Sequence, residues 1–485
     1  MSPRPLRPAM QISLVIGLVL LLAGVGFVDR GLPQAAQPVA VVRPVSAVGP
    51  ADVESSAWYC AGGSGTAGSA AVATLNLLNT TGRDTTGSMT VVTDSGTTRT
   101  TAVSLAAHAD VAVTPSQVLS GAWVATSLQF SGGGVLVTQS VDGPDGWSSA
   151  PCAGTTSSDW YFASGSTEPG HTVAISLFNP TAATAVVDLS FITPHGVEEP
   201  QLFEGVVVAA GGLTVEQIGA YVQDQSSVST VVHVRSGRVV ADEMETESAG
   251  GVSGVSLRLG AAQAARVWVL PRSVDPGGGT TTLSICNPSL LPEHVVVRVK
   301  LPSGPVAPFS ETLLGQSTWV LDASVQARIP TGVSYSTVVR SSGGGVVVDR
   351  GVAASASAPA PQFGAASAVP ADDIASAQIV AAPGAPGHLA VAGAVVIGVG
   401  LFNLGTRPIS VTVSTAPTSG GAGEAIARVV VGPLSSALVG TTALSGVHRR
   451  PLLVRADGPV VAMVDMGPVG SPGVVTLPAV PLEAG

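Results

Sequence analysis

The chain has 485 residues, enough for several domains at roughly 100 to 200 residues each. Only 11% of it is charged and 45% is hydrophobic, beside 59 Gly, which excludes intrinsic disorder and leaves Ser, Thr and backbone to solubilise the surface. A net charge of -10, with Lys300 as the only lysine and no basic stripe beyond the amino terminus, excludes nucleic acid as a partner.

The chain opens on MSPRPLRPAMQISLVIGLVLLLAGVGFVDR, in which residues 8 to 28 are 21 uncharged positions between Arg7 and Asp29. A helix of that length covers about 30 Å of hydrocarbon at 1.5 Å per residue. Arg4 and Arg7 precede it, so residues 1–30 read as a cytoplasmic stub and transmembrane anchor with the bulk of the chain outside the plasma membrane. The alternative is a cleaved signal peptide and a secreted protein. Both place the chain in an oxidising space where disulfides persist. Residues 31–56, rich in Pro, Ala and Val without periodicity, read as a spacer.

Beyond the spacer the sequence repeats. Trp58, Trp160 and Trp268 lie 102 and 108 residues apart, and Asn79, Asn179, Asn287 and Asn403 lie 100, 108 and 116 apart. A third marker, Gln139, Asp242, Asp349 and Asp465, follows each Asn by 60, 63, 62 and 62 residues. A period of this kind fixes the architecture before any finer reading. In the second unit HTVAISLF, ATAVVDLSFI, LFEGVVVA, LTVEQI, SVSTVVHVR and RVVADEME follow the opening WYFAS as short Val, Ile, Thr and Phe-rich segments between Pro and Gly turns. About seven antiparallel strands per unit predict an all-β chain of tandem immunoglobulin-like β-sandwiches behind one transmembrane helix. The units are bounded at 57–153, 158–250, 265–352 and 379–480, with an Ala, Ser and Pro-rich linker over 353–378. The Gly-containing SGGG, SG, SSGGG and DG stretches before the last strand predict a final hairpin.

In each unit the corner Asn keeps the phase of a core-facing row: Leu75 and Leu77 before Asn79, Ile175 and Leu177 before Asn179, Leu283 and Ile285 before Asn287, Val399 and Leu401 before Asn403. Asn there can bond turn backbone, which predicts a structural corner. The uncharged run at residues 389 to 404 carries the fourth Asn in strand phase and is too short to span a bilayer, so it reads as a buried strand.

An apolar strand ending in Asn-Pro and followed by an alternating strand, as at Asn179-Pro180 and Asn287-Pro288, resembles the immunoglobulin-like repeats of bacterial surface proteins. From residue 58 to about 466 the layout resembles an actinobacterial family of membrane-anchored extracytoplasmic proteins of unknown function. The resemblance implies an envelope setting and brings no catalytic residues. The first unit departs from it with Thr80, and the fourth with Leu404 and no opening Trp.

Cys60 and Cys152 stand at the two ends of the first unit and are paired as a disulfide, while Cys286 fills the slot of Leu78, Phe178 and Phe402 and reads as a covered apolar position. Asp242, Asp349 and Asp465 are weak candidates for calcium at unit junctions. DEMETE, residues 242 to 247, is denser but is not repeated. Trp147 is the candidate for an exposed aromatic stacking on a glycan. No HExxH, phosphate loop or nucleophile elbow is present. The expectation is a non-enzymatic scaffold or accessory binding factor without cofactor or metal, touching the membrane through its first helix and an envelope protein or glycan as partner. A glycan-modifying enzyme with a site between units is the alternative.

Overall fold

The computed structural model describes residues 45–66, 71–143, 146–249, 252–274, 279–354, 362–371, 375–380, 392–418, 421, 423–447, 450–469 and 475–483. The expected anchor, residues 1–30, lies outside them. Among the described residues no helix is long and apolar enough to cross a membrane. Nearly all the regular structure is antiparallel β, in sheets that fall into four pairs along the chain.

In the first pair, one sheet has the spatial order Ser55–Cys60, Val124–Ser131, Thr85–Thr93, Thr98–Leu105. The other has Asp110–Val113, Val72–Asn79, Val135–Gly143, Gly146–Pro151. The second unit repeats this order with Leu213–Gln217, His171–Phe178, Val240–Ala249 and Val252–Leu259 in its second sheet, and the third with Ser317–Asp322, Gly279–Asn287, Val347–Ala354 and Gln362–Ser367. In the fourth, Leu452–Val469 runs unbroken through both sheets, pairing Ala375–Val380 and Ile409–Thr415 early and Ala392–Asn403 and Val475–Pro478 late. The uncharged run around Val399 is therefore a strand, with Val399 and Leu401 inaccessible to solvent.

Three expectations are corrected. Each unit adds a strand after the last one expected, the eighth in the first unit and called the eighth strand in all four. These are Gly146–Pro151, Val252–Leu259, Gln362–Ser367 and Val475–Pro478, of which the second lies outside the 158–250 boundary and the third inside the expected 353–378 linker. Small residues hid them: GVSGVSL and QFGAAS carry weak strand propensity and are held by pairing with Val240–Ala249 and Val347–Ala354. Next, the Gly stretches make no hairpin. Val124–Ser131 and Val135–Gly143 belong to different sheets, and the glycines between them carry the chain across the sandwich. Gly132 at φ 111° and Gly134 at φ 75° hold left-handed backbone that a side chain resists, as do Gly237 and Gly345 in the next two units. Finally, the expected spacer is partly structured: Val48 exchanges backbone hydrogen bonds with Pro481 and Glu483, at 2.9 and 3.0 Å. The strand order also differs from an immunoglobulin sandwich at both ends, since the first strand pairs with the sixth and the seventh with the second, whereas A pairs with B there.

Each sheet pair encloses an aliphatic core, and each core is completed by a neighbour. Ala61, Val92 and Ala125 of the first unit enter the second core; Ala163 and Ile192 of the second enter the third, where Phe402, Val461 and Met463 of the fourth also pack. Ile379, Leu453 and Val480 of the fourth complete the first core. The eighth strands touch in a cycle: first with second, second with third, third with fourth, fourth with first. Val92, Ile192 and Lys300 occupy the same place, eighth in Thr85–Thr93, Ala185–Thr193 and Glu293–Leu301. The lysine serves a seam too, its Nζ donating to Ser435 Oγ at 2.5 Å and to the Leu434 carbonyl at 3.2 Å.

Candidate functional site

Alternation along the strand before each corner buries one row, and the Asn at its end is buried with it. Asn179 Nδ2 donates to the carbonyls of Ala183 at 2.7 Å and Val208 at 3.1 Å, while its Oδ1 accepts the Thr181 N–H at 3.0 Å. Asn79 does the same with Arg83, Ala106 and Thr81, Asn287 with Leu291, Leu314 and Ser289, and Asn403 with Arg407, Val431 and Gly405. One amide thus fixes the turn that follows it and a second loop 27 to 29 residues on.

Cys60 and Cys152 form a disulfide across a sequence separation of 92. Cys286 is buried in the third core, and burial pushes its thiol up to about 11. The expectation of an exposed Trp147 is corrected: it is 4% exposed and belongs to the core of the fourth unit, because Gly146–Pro151, which carries it, packs against Val475–Pro478 of the fourth unit as well as against the second. No sugar can stack on it there.

The third marker row does not share one register. Opposite the residue three before each corner Asn stand Thr138, Asp242, Asp349 and Met463. Gln139 pairs opposite Leu75 of the core row, and Asp465 sits two residues beyond its counterparts, opposite Gly398, where the regular register ends. Nor do the acids gather at one place. Asp242 Oδ2 accepts the Ala61 N–H at 2.9 Å and the Gln139 amide at 2.5 Å; Asp349 Oδ2 accepts the Ala163 N–H at 2.7 Å. Asp465 pairs with Arg272 and accepts the Thr476 hydroxyl at 2.7 Å. Each therefore joins its unit to the one before. Burial pushes the Asp242 carboxyl up to about 7, against the opposing hydrogen bonds from Gln139, Ala61 and Gly62. Among the described residues no group of three or more His, Cys, Asp or Glu is placed to hold a metal ion.

The site that sequence reasoning missed lies between the second and third units. Glu243, Glu245 and Glu247 alternate along Val240–Ala249, so all three share one face, and Arg258 pairs opposite Glu243 on the neighbouring eighth strand. The Arg258 guanidinium bonds Glu243 and the Ser164 carbonyl, the latter at 2.8 Å, lies 3.5 Å from Glu245, and reaches Asp349 of the third unit at 4.0 Å. Burial lowers its pKa, and Asp349 opposes that. His171, on the next strand, stands 3.9 Å from both Glu245 and Glu247. The contact with Glu245 raises the His171 pKa most, against the effect of burial, and burial raises that of Glu247. A cavity of about 280 Å³ opens here, walled by Glu168, His171, Glu245 and Glu247 on one side and by Thr280, Thr282 and Ser284 on the other. DEMETE is the signal that was available; what its period of two could not tell is that a second unit faces it.

These features define an all-β protein of four paired-sheet units closed on one another, with a polar inter-unit cleft. The chain belongs to a family of unknown function, DUF5719, whose profile matches residues 116–440. No curated protein matches it. Among solved structures it is similar to the Thermotoga maritima 1070 protein, at 18% identity and TM-score 0.21, over 22% of this chain and 95% of that one. It is similar also to the Anabaena sensory rhodopsin transducer, at 22% identity and TM-score 0.17, over 18% and 93%. A third is a tetra-tandem repeat from the extending region of a large adhesion protein, at 14% identity and TM-score 0.11, over 88% and 100%.

Proposed function

We propose that the protein is a membrane-anchored component of the cell envelope that acts by contact, as a scaffold or accessory binding factor for wall or surface-polysaccharide assembly. In this reading residues 8 to 28 span the plasma membrane with the amino end in the cytoplasm. The units are immunoglobulin-like sandwiches with their end strands exchanged. The observation that carries the reading is the use made of the buried and seam-lining polar residues. The corner Asn residues, Asp242, Asp349 and Lys300 fasten backbone within or between units, which suits a rigid body presenting a polar cleft. The Cys60–Cys152 disulfide supports an oxidising location.

Fractionation and polymer retention test this. Full-length protein in detergent is expected to be retained on immobilised wall polysaccharide without releasing new reducing ends, and to sediment with membranes in cells. Recovery from the cytosol, or failure to retain either glycan or envelope protein, would sink it. The second reading, a glycan-modifying enzyme, has one observation in its favour: Glu245 and Glu247 line a cleft between units. Reducing ends that appear with the wild type and vanish with E245Q would establish it instead.

A further inference from the structure

We propose that the cleft between the second and third units binds a small polyhydroxylated ammonium compound, of which an amino sugar is the type, with Glu245 and Glu247 as the residues that select its charge. The inference rests on reading this cleft as the binding site; it does not rest on the membrane location.

Charge comes first. Three carboxylates, Glu168, Glu245 and Glu247, line the cavity, and His171 is the sole basic side chain among the described residues of its wall. Arg258 bonds Glu243 and the Ser164 carbonyl and lies 3.5 Å from Glu245, so it offsets part of the Glu245 charge and leaves Glu247 as the carboxylate it does not reach. Among the described residues Glu247, 8% exposed, has no hydrogen-bond partner for its Oε2, and its other oxygen stands 3.9 Å from His171. A carboxylate withdrawn from water without donors is unfavourable, so it favours an incoming cation that can donate hydrogen bonds. The same field repels phosphate, uronate and other anions.

Shape and polarity narrow the class. A space of about 280 Å³ is at the small end of ligand sites, which start at roughly 300 Å³, and fits one sugar ring better than a peptide or lipid. The facing wall offers the hydroxyls of Thr280, Thr282 and Ser284, each able to donate or accept, which suits a ligand carrying several hydroxyls. A second cavity of about 310 Å³ shares Glu168 and His171 and continues past Gln217 and Gln223, leaving room for an adjoining ring.

The test titrates glucosamine into the full-length protein in a sugar-free zwitterionic detergent at pH 7, by calorimetry, beside glucose, N-acetylglucosamine and calcium chloride. Glucosamine is expected to bind about tenfold or more tightly than either neutral sugar, and E247Q to lose about tenfold while keeping the unfolding temperature. Hydrogen exchange on the wild type gives an answer that does not depend on a variant folding: glucosamine should protect residues 243–249 and 280–284. Glucosamine no tighter than glucose, an unaffected E247Q, absent protection, or calcium displacing glucosamine would each overturn the proposal. Retention on wall polysaccharide without glucosamine binding would overturn it and leave the envelope reading standing; glucosamine binding without retention would do the reverse.

Discussion

Asp349 accepts the backbone N–H of Ala163 at 2.7 Å across 186 residues of sequence, and Asp242 repeats the contact one unit earlier with Ala61 at 2.9 Å. In both cases a buried acid near the end of one sandwich holds the residue just after the opening strand of the preceding one. D242A should therefore loosen the first seam by about 1 to 3 kcal/mol, since it strands the Ala61 amide and the Gln139 side chain without an acceptor. D242N keeps an acceptor and should cost less.

The same residue sets a pH dependence. Its carboxyl titrates at about 7 in the folded protein and near 3.8 ordinarily, so the folded state holds the extra proton. Its contribution is most favourable below about pH 4 and is lost as the pH rises towards 7. Thermal unfolding of the wild type followed against D242N between pH 4 and 8 should show the slope difference confined to that window. A parallel pair of curves would count against it.

Asn179 holds two carbonyls and one amide from a position sealed from solvent. N179A should lower stability by about 2 to 4 kcal/mol, and N179D by at least as much, because the aspartate loses both donors and introduces a buried charge. Denaturant unfolding measures both. Equal stability of N179D and the wild type would refute the donor role.

Arg258 neutralises Glu243 inside the protein, both side chains being 3% exposed or less. R258M alone should cost about 3 to 5 kcal/mol, since Glu243 is left charged and unpaired, while R258M with E243M should recover most of the loss. The double-mutant cycle reads the coupling directly; additivity would mean that the pair does not interact.

Trp147 belongs by sequence to the first unit and by packing to the fourth. W147A should cost about 3 to 5 kcal/mol. The loss should register first as faster hydrogen exchange around Val411 and Val464 of the fourth core, and not near Leu75 of the first.

The sequence showed the β class, the repeat and the Asn corners because these depend on residues within one unit: an alternating row and the amide in phase with it. What it hid was relational. Asp242, Asp349 and Asp465 were visible at near-constant spacing, yet counting could not tell that Gln139 lies on the opposite face, since a shift of one residue reverses a strand's orientation. Two of the eighth strands, Val252–Leu259 and Gln362–Ser367, are rich in Gly, Ala and Ser, and such residues look like linker in a single sequence. The cleft needed two units at once: Glu245 and Glu247 from one, Thr280 and Thr282 from the other.

The hydrogen bonds between Val48 and the Pro481 and Glu483 backbone bear on biogenesis. A polypeptide emerging amino end first makes its first sandwich long before Ile379, Leu453 and Val480 exist to fill it. That earliest portion must wait, incompletely covered, until translation ends. Truncations near the carboxyl terminus should accordingly injure the oldest part of the molecule as well as the newest, and a permuted gene joining the two termini would move the waiting portion elsewhere.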